Sequence, residues 1–334
     1  VAADAGALAV SLTASAADTG FTGTEATVFT GAGGQFAGID TVTGSGDETL
    51  AGRNVASTWT AGTYSDGTAT LNFSGIGTAT GNAAADTLQG GAGVDTFTVD
   101  GSGSVTLNGQ DFDGMDTLNG QGNDDVFNLN GDFGGTVNGD AGDDDFNLNA
   151  NQSGQFNGGE GSDTFTLADG VVLSFAGTAI DGGADAAGDD DDELNVAADA
   201  GALAVSLTAS AADTGFAGNV ATVGQFAGID TVTGSGDETL TGRNVASTWT
   251  AGTYSDGTAS LSFSGIGTAT GIAAADTLQG GAGIDTFTVD GAGSVTLGGQ
   301  DFDGMDTLNG QGNDDVFNLN GDFGGTVNGD AGDD

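Results

Sequence analysis

Self-similarity limits this chain more than any other feature. Val1 to Phe21, VAADAGALAVSLTASAADTGF, recurs without change as Val196 to Phe216, an offset of 195 residues. Five residues then drop out of the second copy, and Gly34 to Asp144 returns as Gly224 to Asp334 at an offset of 190. Substitutions between these stretches are mild, among them Val94 to Ile284, Thr70 to Ser260 and Asn108 to Gly298. Residues 1–195 therefore form a first tandem repeat and 196–334 a second, truncated one, as expected of an excerpt from a longer array. Repetition of this kind points to one continuous solenoid rather than to separate globular domains.

A shorter period lies inside each copy. FAGIDTVTG at Phe36 to Gly44, FSGIGTATG at Phe73 to Gly81 and FDGMDTLNG at Phe112 to Gly120 share one pattern, which recurs from Phe226, Phe263 and Phe302. Beyond the third block Leu118, Val137, Phe156 and Phe175 follow at steps of 19, and Leu88 to Leu107 shows the same step. Between these anchors apolar and polar residues alternate and Gly-rich turns intervene, which is a strand signal. The Gly, Thr, Asn and Asp load and the lack of a 3.6-residue pattern disfavour helix. The spacing thus predicts an all-β chain, a parallel β-solenoid (β-helix or β-roll) with about 19 residues per coil in its regular part, each coil advancing about 4.7–4.9 Å. Phe127, Phe146 and Phe165, also 19 apart, are expected to stack in one interior column. The stretch Ser57 to Phe73 reads either as looser coils or as a protruding hairpin, with Trp59 and Tyr64 expected in the core.

Charge excludes several partners. The formal charge is -46, from 48 acidic residues against Arg53 and Arg243 alone. Nucleic acid needs clustered cations, an anionic membrane surface repels such a chain, and no apolar run reaches the roughly 20 residues of a membrane-spanning helix. The chain has no Cys, no Pro and no His, so disulfides are absent and the usual nucleophiles and bases are missing. An acidic, Gly-rich linker would share this composition, but a linker has no reason to place 19 Phe at regular positions.

The turns carry the chemistry. GGAGVDTFT from Gly90 and GGEGSDTFT from Gly158 fit the nonapeptide G-G-x-G-x-D-x-U-x, where U is a large apolar residue. Degenerate forms follow from Gly120 (GQGNDDVFN) and Gly139 (GDAGDDDFN), and the second copy repeats the pattern from Gly280 and Gly310. Calcium, a hard cation, takes several oxygens at about 2.3–2.6 Å; glycines let the backbone turn its carbonyls inward, and the Asp at the sixth position adds a carboxylate. The candidate metal residues are Gly90, Gly91, Gly93 and Asp95; Gly120, Gly122 and Asp125; Gly139, Gly142 and Asp144; Gly158, Gly159, Gly161 and Asp163; then Gly280, Gly281, Gly283 and Asp285, with Gly310, Gly312 and Asp315. Coils 19 residues long would set Asp125, Asp144 and Asp163 in a ladder of like charges that is destabilising without counter-ions.

These nonapeptides resemble the calcium-binding repeats of the repeats-in-toxin family of secreted bacterial proteins, which form a parallel β-roll. That family uses two nonapeptides per 18-residue coil, whereas here one turn per coil carries the motif, so calcium is expected along one edge. The Phe-initial blocks are similar to repeats in very large bacterial surface adhesins and filamentous-haemagglutinin-like proteins. Together the resemblances imply an extracellular or cell-surface protein, secreted and calcium-stabilised. Its role would be that of an adhesin array or spacer, with neighbouring repeats, and other copies of itself, as partners. A self-assembling filament or surface-layer subunit is the alternative. A carbohydrate-binding or polysaccharide-modifying β-helix is more remote, since an evenly repeated Asp does not make a catalytic cleft. DFDGMD at Asp111 to Asp116 lacks the ligand order and terminal Glu of an EF-hand, and the GGAG turns lack the Lys of a phosphate-binding loop. The expectation is no enzyme, no nucleic-acid partner and no membrane insertion.

Overall fold

Alternating side chains and glycine turns give strands and nothing else: no helix occurs among the described residues, which in this computed structural model are 8–25, 35–83, 85–183, 191–212 and 214–334. The chain divides into two compact units, Val1–Asn157 and Gly158–Asp334. In each, most strands pair in parallel with strands of the neighbouring repeat step.

In the first unit the regular part consists of two parallel ladders. Asp86–Gln89, Thr117–Asn119 and Thr136–Ala141 form one, with Leu88, Leu118 and Val137 in register. Thr96–Val99, Val126–Leu129 and Asp145–Leu148 form the other, aligning Phe97, Phe127 and Phe146. Every second residue turns inward, so these apolar side chains are 0% exposed. The three Phe rings stack with centroids 4.9 Å apart, the spacing of the strands that carry them. On the outer side the Asn138 amide donates to Asn119 at 2.8 Å and that of Asn157 to Asn138 at 2.8 Å, a polar ladder at the same pitch.

The 19-residue step holds from Thr117 to Thr136 and from Val126 to Asp145, but two of the expected anchors are not positions of these parallel ladders. Leu88 pairs with Leu118, 30 residues on. Leu107 instead lies in an inserted hairpin, Val105–Leu107 against Gln110–Asp113, opposite Phe97 in an antiparallel pair. Phe175 is 40% exposed and outside any strand. There an excursion that buries Val171 and Leu173 lengthens the step from Thr164 to its partner Glu193 to 29 residues.

The less regular stretch is a hairpin set against the parallel strands. Ser57–Thr60 pairs antiparallel with Thr63–Ser65 and, on its other side, parallel with Asp86–Gln89. Trp59 and Tyr64 are both 0% exposed, their rings 4.4 Å apart, so they are core and offer no sugar-stacking platform. Arg53 donates its backbone N–H to the Tyr64 hydroxyl at 3.0 Å and its guanidinium pairs with buried Asp66 at 2.6 Å. The second unit repeats this arrangement around Trp249, Tyr254, Arg243 and Asp256.

Candidate functional site

The acidic turns are built on an interlock of glycine and carboxylate. A Cβ on Gly90, Gly120, Gly158, Gly280 or Gly310 would fall within 3.0 Å of a carboxylate oxygen of Asp95, Asp125, Asp163, Asp285 or Asp315 respectively. The side chain five residues on thus occupies the space that the glycine leaves. Gly139 opens the corresponding turn of Asp144. At the second and fourth positions the backbone is left-handed in several turns: φ is +127° at Gly159 and +121° at Gly161, and +90° at Gln121 and +77° at Asn123. Glycine adopts that region freely whereas other residues rarely do. The turns from Gly90 and Gly280 differ. There Gly91 and Gly281 lend their N–H to Asp95 and Asp285 at 2.5 and 2.7 Å, and a Cβ on Gly93 or Gly283 would meet nothing within 4 Å.

The sixth-position acids stand in columns. Asp125 Oδ1 accepts the Asp95 N–H at 2.7 Å, and Asp144 Oδ1 accepts that of Asp125 at 2.6 Å. In the second unit the Asp163 N–H goes to Asp192 at 2.8 Å, that of Asp285 to Asp315 at 2.8 Å and that of Asp315 to Asp334 at 2.9 Å. Each carboxylate therefore caps the backbone of the acid one repeat step earlier with a charge-assisted bond.

The remaining carboxylate oxygens are treated unequally. Asp95 Oδ1 accepts the Asn108 amide at 2.8 Å. Asp125 is 0% exposed and Asp315 3% exposed, yet Oδ2 of each has no hydrogen-bond partner among the described residues. Burial, reinforced by the Asp95 charge, pushes the Asp125 carboxyl up to about 6. Burial and the charge of Asp125 push Asp144 up to about 7. A buried charge with an unpartnered oxygen, as at Asp125 and Asp315, is costly.

Sequence reasoning missed further buried acids of the same design, Asp192 over Gly182 among them. Glu48 and Glu238, and Asp86 and Asp276, fold over Gly44, Gly234, Gly81 and Gly271, and all four are 0% exposed. Their signal was present: Gly44, Gly81 and Gly120 each end one of the Phe-initial blocks, and an acid follows each after four or five residues. Unlike Asp125, these four are closed by serine. Glu48 accepts Ser45 N–H at 2.6 Å, Gly46 N–H at 3.1 Å and the Ser45 hydroxyl at 2.9 Å, and the backbone bond from Ser45 chiefly holds its carboxyl down at about 2. Asp86 accepts the Ser57 hydroxyl at 2.5 Å and the Ala83 N–H at 2.9 Å. Asp86 opens a strand of the first ladder and Asp95 precedes one of the second, so a glycine–acid interlock stands at the start of a strand in both ladders.

No group of three acidic side chains converges among the described residues, so a cation at these turns would take at most two carboxylates and complete its shell from backbone, hydroxyl or water oxygens. No protein-family model, curated protein or solved structure matches the chain.

Proposed function

We propose that this chain is a calcium-stabilised structural array, each unit a β-solenoid whose acidic turns take ions from the surrounding solution. One observation carries the reading: Asp125 and Asp315 are buried in columns of like charge with Oδ2 unpartnered among the described residues. Such an oxygen needs a proton or a cation, and at neutral pH a divalent ion both neutralises the column and bridges neighbouring coils. The likeness of the turns to repeats-in-toxin nonapeptides supports calcium as that ion and the outside of the cell as its source. The absence of His and Cys, and acids that recur step after step in columns rather than converging in a cleft, favour a spacer or adhesin role over catalysis.

Binding of an ion to the folded chain alone is folding free energy. Far-ultraviolet circular dichroism of the purified chain at neutral pH is expected to show a higher melting temperature in millimolar calcium than in chelator, with magnesium a poor substitute because it demands a tight octahedral shell. Equal melting temperatures in calcium and chelator would overturn the reading.

A further inference from the structure

The two tandem copies differ at one position in a way that the chemistry of the turn amplifies. Asn108 and its counterpart Gly298 each begin the tip of the inserted hairpin. Both tip residues are left-handed in each copy: φ is +52° and +80° at Asn108 and Gly109, and +61° and +87° at Gly298 and Gly299. This is the two-residue turn that Asn-Gly and Gly-Gly both suit, so the exchange leaves the hairpin intact. What changes is the neighbouring carboxylate.

In the first copy the Asn108 side-chain amide reaches back 2.8 Å to Asp95 Oδ1, while Gly91 N–H holds Oδ2, so both oxygens are satisfied and Asp95 is only 4% exposed. In the second copy Gly298 has no side chain, Asp285 keeps only the Gly281 N–H among the side-chain hydrogen bonds found there, and the residue becomes partly exposed. A groove of about 440 Å³ opens beside it, lined among others by Thr250, Thr253, Gln279, Gly281, Asp285 and Gly298. Its lining holds one carboxylate, a side-chain amide and two threonine hydroxyls that bond each other at 2.7 Å, oxygen-bearing groups of the kind a hard divalent cation selects.

We propose that Asn108 is a built-in plug: its amide takes the place of a calcium ion at Asp95, and the groove at Asp285, where Gly298 has removed that plug, is a calcium site of the second copy alone. A carboxylate oxygen can accept more than one donor, so the exclusion is one of space: the Asn108 side chain occupies the approach to Asp95 Oδ1 that Gly298 leaves open beside Asp285. The inference rests on the cation reading above and refines it, because the two turns with the same G-G-A-G motif then differ in occupancy for a reason outside the motif.

Reciprocal exchanges in the full chain test it, with calcium itself as the probe and bound ions counted by equilibrium dialysis and isothermal titration calorimetry. Asn108→Gly is expected to bind one more calcium per chain than the parent, Gly298→Asn one fewer, and the double exchange the parental number. Tryptophan emission, from Trp59 and Trp249, reports whether each variant is folded. If Asn108→Gly unfolds, Gly298→Asn decides alone. There Asn suits the turn, and the Ala251 methyl, 2.9 Å from the new Cβ, is the one close neighbour to give way. An unchanged ion count in folded Gly298→Asn would overturn the plug while leaving the cation reading standing. A parent chain that binds no calcium would overturn both.

Discussion

A motif written G-G-x-G-x-D treats its glycines alike, but the structure gives each a different job. Gly120 is required because the Asp125 carboxylate fills the place of its Cβ, and a methyl there would also press on the Gly139 carbonyl. Gly93 has open space around it and no left-handed backbone. Gly120→Ala is therefore expected to cost about 1–3 kcal/mol, the usual penalty of overpacking a tight site. Gly93→Ala should be neutral or gain about 0.4–1 kcal/mol by restricting the unfolded chain. Urea denaturation of both variants checks this, and equal effects would mean that the interlock does not hold the turn. At this scale the sequence announced the sixth-position Asp but not its partners. Asn108 and Ser57 act on carboxylates 13 and 29 residues away, a relation no local pattern encodes. The exchange of Asn108 for Gly298 looked mild for the same reason.

Strands were legible where periodicity was honest. The alternation around Leu118, Val137, Phe127 and Phe146 specified both the inward face and the 19-residue step, because a slip of one residue would turn every apolar side chain outward. It misled where an insertion imitated the step: Leu107 in its hairpin and Phe175 on its excursion sit at the right distance in sequence and the wrong place in space. The hairpins also divide the elements by how their acids are satisfied. In the parts of each copy that carry Trp59 and Trp249, serine hydroxyls and backbone N–H groups give every carboxylate oxygen of Glu48, Asp86, Glu238 and Asp276 a donor. These elements should hold without metal. Chelation at neutral pH is expected to reduce the β signal in the far ultraviolet while the emission maximum of the two tryptophans, the only two in the chain, stays blue-shifted. A red shift at the same chelator concentration as the loss of β signal would show that the serine-closed elements depend on the ion-bearing ones.

At the scale of the whole molecule, the charge of -46 makes pH and calcium two routes to one end. A carboxylate free in water ordinarily titrates near pH 4, so the window between pH 8 and 5 reports on groups lifted by burial. Asp125 and Asp144 have folded values of about 6 and 7 against an ordinary 3.8. The folded chain then binds more protons than the unfolded one, so stability rises as pH falls through this window. Glu48 has the opposite sign. With a folded value of about 2 against an ordinary 4.5, its contribution is complete above 4.5 and lost as pH falls toward 2. In chelator the melting temperature is therefore expected to climb from pH 8, peak near pH 4–5 where the two trends meet, and drop in stronger acid. Calcium binds the ionised column, so protons compete with it. Millimolar calcium should raise the pH 8 end most and flatten the profile, and its apparent affinity should weaken below pH 7. A chelated chain whose melting temperature is flat or falls between pH 8 and 5 would mean that the buried column carries no excess of protons, and calcium would then have no unpaired charge there to neutralise.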